Sequence, residues 1–197
     1  MDSRGVKKPI ILASNSPRRR EMLKQIGLDF VVDPADVDEV VLPGEEPGAY
    51  AVRVARDKAQ VAARKAGGGI VIAADTIVVL GDRILGKPVD ASDAMRMLNL
   101  LSGREHRVIT GLVLLDASSG RSLARMSITR VWFRSLSVGE IRSYAASGEP
   151  LDKAGAYGIQ EKGALLVQKI DGCYFNVVGL PLSLLGEMLS EFGISLW

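Results

Sequence analysis

The sequence predicts an α/β fold built on a mixed sheet. Three observations carry this reading. Short apolar runs of strand length interleave with longer stretches whose apolar residues recur at helical spacing. The run Ile70–Ala74 is continuously apolar, as in a strand buried on both faces. Val108–Leu115 and Ser127–Phe133 flank the turn residues Ser118-Ser119-Gly120 and alternate enough to pair as a hairpin. A hairpin requires antiparallel neighbours, so the sheet is not purely parallel. No internal repeat, linker or low-complexity tract divides the 197 residues.

The elements follow in order. Ile10–Ala13 reads as a buried strand that runs into Ser14-Asn15-Ser16-Pro17. Ser16 suits a helix N-cap and Pro17 the first helical position. The helix continues through Met22, Leu23 and Ile26 and ends at Gly27. Phe30–Val32 is a short strand, followed by an acidic loop over Asp33–Glu46. A second helix starts near Pro47, carries Ala51, Val54, Ala55, Ala59 and Ala62 on one face, and breaks at Gly67-Gly68-Gly69. The strand Ile70–Ala74 delivers Asp75 and Thr76 at its end, then Ile77–Leu80 and the turn at Gly81-Asp82 lead to Gly86-Lys87-Pro88. Ala91–Leu101 is a helix closed by Ser102-Gly103. After the hairpin, Ser137-x-x-Glu140 is a capping box that starts a helix ending at Gly148. Glu149–Gly158 is unpatterned loop, Ala164–Ile170 a strand, and Pro181 to Gly193 bounds the last helix.

Composition excludes several chemistries. A formal charge of +2 is too small for bulk nucleic-acid binding, so any important positive charge is local. One cysteine, Cys173, permits no disulfide within the chain. With one histidine, His106, it also falls short of a Cys/His zinc site, and a Ser-His-Asp mechanism would rest on His106 alone. A metal used here is a hard cation held by carboxylates and substrate phosphates. Met1–Lys8 is polar and basic, and the apolar stretch Pro9–Ala13 is too short for a signal-peptide core. No segment approaches a membrane span, so a cytoplasmic protein is expected.

Four features carry candidate chemistry. Arg18, Arg19 and Arg20 occupy the first turn of the first helix, where the dipole and unpaired N–H groups favour acids. A bound phosphate would resolve that conflict, with Ser14 and the guanidinium groups as donors; a solvated basic surface is the other reading. Asp75 can hold a metal or deprotonate water at the carboxyl end of a strand, or simply cap a turn. Lys58 and Lys87 can meet phosphate as point charges, although Lys58 also fits a solvated face beside Arg53, Arg56 and Arg64. Asp152–Gln160 contains two glycines that permit close approach of a flat ligand, and Gln160 offers a donor and an acceptor to a base edge. It also reads as a connecting loop, as His106 reads as a polar residue opening a strand.

Taken together, these segments resemble the Maf family of nucleoside triphosphate pyrophosphatases, also called septum-formation inhibitors. The resemblance runs from Ile10 to Leu182. It is carried by Ala13-Ser14-Asn15-Ser16-Pro17-Arg18-Arg19, Ala55-Arg56-Asp57-Lys58-Ala59, Ala74-Asp75-Thr76 and Gly86-Lys87-Pro88. Ser102-Gly103, His106–Gly111, Asp152–Gln160 and Val177-Val178-Gly179-Leu180-Pro181 complete it. The resemblance implies one Maf-type domain over 1–197, similar to the inosine triphosphatases: an elongated mixed sheet flanked by helices, with a cleft between two closely joined lobes, often dimeric. It implies cleavage between the α- and β-phosphates with a divalent cation, Mg²⁺, Mn²⁺ or Co²⁺. By position, Asp75 takes the catalytic carboxylate, Ser14, Arg19, Lys58 and Lys87 the phosphate site, and Glu39 a carboxylate near the metal. Arg18, Thr76 and Gln160 fall where substrate choice is set. The Asp152–Gln160 segment looks like the branch acting on dTTP and UTP, not the one acting on 7-methyl-GTP. Ala74 stands where the family commonly has Gly. A nucleotide-binding regulator of division, without turnover, is the alternative of a different class.

Overall fold

The computed structural model describes residues 8–197, so the basic stretch read at Met1–Lys8 lies, except for Lys8, outside the described residues. Its centre is a seven-stranded sheet in the order β2-β1-β3-β5-β6-β7, with β4 pairing β3. The strands are β1 (Ile10–Leu12), β2 (Val31–Val32), β3 (Ile70–Leu80), β4 (Arg83–Leu85), β5 (Glu105–Asp116), β6 (Ser122–Phe133) and β7 (Val167–Asp171). The β1 strand runs parallel to β2 and β3. Every other pairing is antiparallel, which makes the sheet mixed. The helices are α1 (Pro17–Gln25), α2 (Pro47–Ala66), α3 (Ala91–Leu101), α4 (Val138–Ala146), α5 (Tyr174–Val178) and α6 (Leu182–Glu191).

The alternation of side chains along β3 distributes the core. Ile70, Ile72 and Ala74 face one side and pack with Met22 and Leu23 of α1 and Leu185, Met188 and Leu189 of α6. Val78, further along the same face, packs with Ala94, Met97 and Leu98 of α3 and Ile141 and Tyr144 of α4. Val71 and Ala73 face the other side, against Ala55, Ala59 and Ala62 of α2. Ile77 and Val79 continue that face against Tyr50, Ala51 and Val54. The helix rests unusually close to the sheet because Gly111 has no side chain: a Cβ there would lie 2.3 Å from the Ala51 carbonyl oxygen. Gly111 is the register partner of Asp75 across the β3–β5 ladder. The alanine face of α2 and this one glycine therefore bring α2 down beside Asp75. Ala74 is fully buried among α1-side residues, so the methyl group it adds is packed into the core.

Asp75 does not end a strand, contrary to the sequence reading. The ladder with β5 runs unbroken from Ile70 to Val79, through Asp75↔Gly111 and Thr76↔Thr110. Two consecutive polar residues interrupt the apolar pattern without interrupting the backbone bonds, because each points to a different face. The other edge of β3 is discontinuous. There β1 pairs with Ile70–Ile72 and β4 with Val78–Leu80. The stretch 73–77 lies between these two partners, at the middle of the sheet.

Other departures are local. The predicted strand over Ala164–Ile170 is a 3₁₀ turn through Leu166 before β7 begins. The Gly163 amide donates to the Glu149 carboxylate at 3.1 Å, and the chain passes so close to Gly158 that a Cβ on Gly163 would meet its carbonyl oxygen at 2.0 Å. Those contacts override the strand propensity of the Ala-Leu-Leu run. Two further 3₁₀ turns, Glu149–Asp152 and Ala154–Ala156, occupy the segment read as loop. The β4 strand and the α5 helix, at three and five residues, are too short to leave a periodic pattern.

Candidate active site

A cavity of about 510 Å³ opens on the β3 edge between β1 and β4. Its lining includes every site residue singled out in the sequence: Ser14, Arg18, Arg19, Glu39, Lys58, Asp75, Thr76, Lys87 and Gln160. They come from five regions: the β1–α1 turn, the loop before α2, α2 itself, β3 with its continuation to Lys87, and the segment before β7.

On the α2 face, Lys58 joins the two acids. Its Nζ donates to Asp75 Oδ1 at 2.8 Å and lies 2.6 Å from Glu39 Oε1. Lys58 and Asp75 are largely buried, while the Glu39 side chain is about half exposed. Burial works against the Glu39 carboxylate. The Lys58 hydrogen bond and the charges of Lys58, Lys87 and Arg19 outweigh it and hold its pKa below the ordinary value of 4.5. Tyr50 donates from its hydroxyl to the Glu39 carbonyl at 3.0 Å and so fixes the backbone that carries this acid. Burial, then the charges of Asp75 and Glu39, push the Tyr50 phenol up to about 12, so it remains a donor.

On the opposite face, Arg19 is buried among neutral oxygens. Its Nε donates to the Gly179 carbonyl at 2.8 Å, Nη1 to Ser14 Oγ at 3.2 Å and Nη2 to Thr76 Oγ1 at 3.0 Å. Burial lowers its pKa and the charge of Asp75 partly restores it. Guanidinium nonetheless stays protonated, so this is a fixed positive charge without a carboxylate of its own. Thr76 Oγ1 also lies 2.9 Å from Thr110 Oγ1, which donates to the Asn176 carbonyl at 3.2 Å. The Ser16 side chain accepts from the Arg19 amide as the predicted N-cap, and Pro17 opens α1. The basic first turn is thus half internal: Arg19 points into the protein, while Arg18 reaches across to Asp152 at 2.8 Å.

Behind the cavity wall, the lining residue Tyr157 joins an aromatic cluster. Tyr157 packs edge-on against Phe133 and His106, and its hydroxyl lies 2.7 Å from His106 Nε2. His106 is buried rather than a polar strand opening, and burial lowers its pKa to about 4, so it is neutral. Gly155 adopts positive φ (68°), and a Cβ there would strike Val78 at 2.9 Å; glycine lets the segment before Gln160 lie directly on β3.

Sequence reasoning missed Tyr50 and Asn176 and gave no individual role to Asp152 or Thr110, although these lie in the singled-out segments Asp152–Gln160 and His106–Gly111. Tyr50 carried a signal: Tyr50, Val54 and Lys58 are four apart and share one face of α2. The contact of Thr110 with Thr76 follows from the β3–β5 register, which the sequence does not display.

Comparison with known proteins now decides the family. The family model described as Maf-like protein matches residues 9–192. The chain belongs to the Maf family. Among curated Maf relatives, a protein of Syntrophomonas wolfei subsp. wolfei named dTTP/UTP pyrophosphatase is 50% identical over 94% of this chain and 98% of its own length. Proteins of the same name from Geotalea uraniireducens and Anaeromyxobacter dehalogenans are 51% and 52% identical. Each of those two alignments covers 95% of this Maf chain, with 96% and 95% of the respective relative. Among solved structures, the Staphylococcus aureus Ham1 protein aligns with 64% of this chain and 72% of its own at 20% identity, with a TM-score of 0.45. No helix among the described residues of the Maf chain is long and apolar enough to cross a membrane.

Proposed function

We propose that this Maf chain hydrolyses nucleoside triphosphates, dTTP and UTP foremost, to the nucleoside monophosphate and pyrophosphate. The observation that carries the reading is the Asp75–Lys58–Glu39 cluster at 2.8 and 2.6 Å, set in one cavity with the buried Arg19 and the amino end of α1. Binding a polyphosphate needs the basic groups. It does not need two carboxylates beside them, whereas hydrolysis does. The names of the relatives support the base preference.

In this reading Arg19, Ser14 and the first amides of α1 hold phosphate oxygens, and Lys87 meets them from the opposite wall. Asp75 accepts a proton from a water molecule as that oxygen attacks the α-phosphorus. The bond to the α–β bridging oxygen breaks, and pyrophosphate leaves with that oxygen. Lys58 helps keep Glu39 ionised and orients both carboxylates. Catalysis is then mostly positioning and charge stabilisation. Gln160 and Arg18, on the outer lining, meet the base side, and the Gln160 amide can answer the N3–H and O4 of uracil or thymine.

Glu39 and Asp75 also fit a divalent cation. They are two hard oxygen donors within reach of one ammonium group, and no set of three or more acid, His or Cys side chains forms a complete cage among the described residues. A Mg²⁺, Mn²⁺ or Co²⁺ ion held by this pair together with substrate phosphates matches such a site, and when bound it neutralises phosphate charge. A triphosphate substrate places this chemistry in the cytoplasm. The test is pyrophosphate release across a nucleotide panel, with and without chelator. dTTP and UTP should lead, CTP and 7-methyl-GTP should be poor, and chelation should abolish turnover. Tight nucleotide binding without pyrophosphate release would favour the regulator instead.

A further inference from the structure

Arg18 and Arg19 are neighbours with opposite settings. Arg19 is locked inside the fold by three neutral acceptors. Arg18 is a long side chain on the cavity wall, and among the described residues its hydrogen bond is the one from Nη1 to Asp152 Oδ2, at 2.8 Å. That bond joins the first turn of α1 to the 3₁₀ turn ending at Asp152, and both residues line the cavity. The Asp152 side chain is 57% exposed, so as a surface ion pair it contributes little to stability.

Its surroundings are nevertheless built. The second carboxylate oxygen of Asp152 accepts from Lys153 Nζ at 2.7 Å. Lys153 is itself fixed: Nζ donates to the Glu149 carbonyl at 2.5 Å, and its stem lies against Gly158, where a Cβ would fall 2.8 Å from Lys153 Cε. Asp152 is thus oriented from beneath by Lys153 and orients Arg18 in turn. One guanidinium corner is used in this way, and Nε and Nη2 remain to face a ligand.

We propose that Asp152 is a positioning residue that aims Arg18 across the cavity and thereby sets base discrimination; this rests on the nucleotide reading above. A carboxylate near a triphosphate is electrostatically unfavourable. If Asp152 were only a surface charge, removing it would tighten nucleotide binding. If it aims Arg18, removing it weakens binding and blurs selectivity. The two accounts differ in sign.

The experiment compares UTP and CTP in the full chain for wild type, Asp152→Ala, Asp152→Glu, Arg18→Ala and the double variant Arg18→Ala/Asp152→Ala. Both kcat and KM are measured, with Kd by calorimetry and thermal melting to verify folding. Asp152→Ala should raise KM for UTP and narrow the UTP/CTP ratio, each about tenfold, with a smaller change in kcat. Asp152→Glu should recover part of the ratio. The double variant should be no worse than Arg18→Ala alone, because both substitutions remove one interaction. A lower KM with the ratio intact, or additive losses in the double variant, would overturn the proposal. A wild type that discriminates while Asp152→Ala discriminates equally well sinks this inference alone. A wild type that neither binds nor cleaves any nucleotide sinks the underlying reading as well.

Discussion

Asp75 and Thr76 are adjacent in sequence and stand on opposite faces of β3, and the two faces solve opposite electrostatic problems. On the α2 face two acids share one lysine, so one negative charge is left over. On the α1 face Arg19 is surrounded by a carbonyl and two hydroxyls, so its charge is solvated but not matched. The first arrangement leaves a net negative charge, which a cation completes. The second leaves a net positive charge beside a cavity, which an anion completes. In the proposed reading, the contrast separates the task of running the reaction from the task of attracting the substrate, across the thickness of a single strand.

The largest expected effect tests the acidic face. Asp75→Asn keeps the shape and a hydrogen bond to Lys58 but removes the base, and should lower the rate of pyrophosphate release by ~10²–10⁴-fold. Circular dichroism and melting should report an intact fold. Near wild-type turnover in that folded variant would show that Asp75 is not the base.

Next in size is the loss of matching on the same face. Lys58→Met leaves Asp75 unpaired and facing Glu39, and should cost on the order of 3 kcal/mol at neutral pH, near the low end for buried pairs because the site opens to water. The cost has a pH signature. Glu39 titrates below 4.5 in the folded protein, so its contribution is present above that value and lost as pH falls through the lower folded pKa. The difference in stability between wild type and Lys58→Met, followed by urea unfolding, should therefore shrink on acidification. A pH-independent difference would mean the pair is not matched as described.

The smallest effect concerns the basic face. Arg19→Met removes three donated hydrogen bonds but also a buried charge, and these partly offset; the net cost should be on the order of 2 kcal/mol. It should vary little with pH, because guanidinium does not titrate in the accessible range. Affinity for inorganic pyrophosphate should fall in the same variant. Stability loss without loss of pyrophosphate affinity would make Arg19 a packing residue.

Much of this was legible in the sequence, and what was not has physical causes. The mixed sheet followed from apolar runs and one hairpin, and the N-cap at Ser16 and the capping box at Ser137–Glu140 form as read. Every site residue placed by the resemblance lines one cavity, although Lys58 lies within a helix and Asp75 and Thr76 within a strand. The setting of Asp75 was misread because a polar pair within an apolar run looks the same in sequence whether the strand stops or merely alternates. The split between Arg18 and Arg19 was hidden because side-chain fate depends on Gly179 and Asp152, more than 130 residues away.

The interrupted edge of β3 has a further consequence. An exposed strand edge invites another chain to add itself, and long flat edges are aggregation hazards. Here β1 blocks one end of the opening and β4 the other, with five residues, 73–77, between their pairings. A gap of that length, facing a cavity lined by polar residues such as Ser14 and Lys58, gives an intruding strand too little ladder to grip. The chain thus leaves this edge of β3 unpaired at the centre of its sheet while burying most of it, Ala73 and Ala74 completely, and so denies it to its neighbours in a crowded solution.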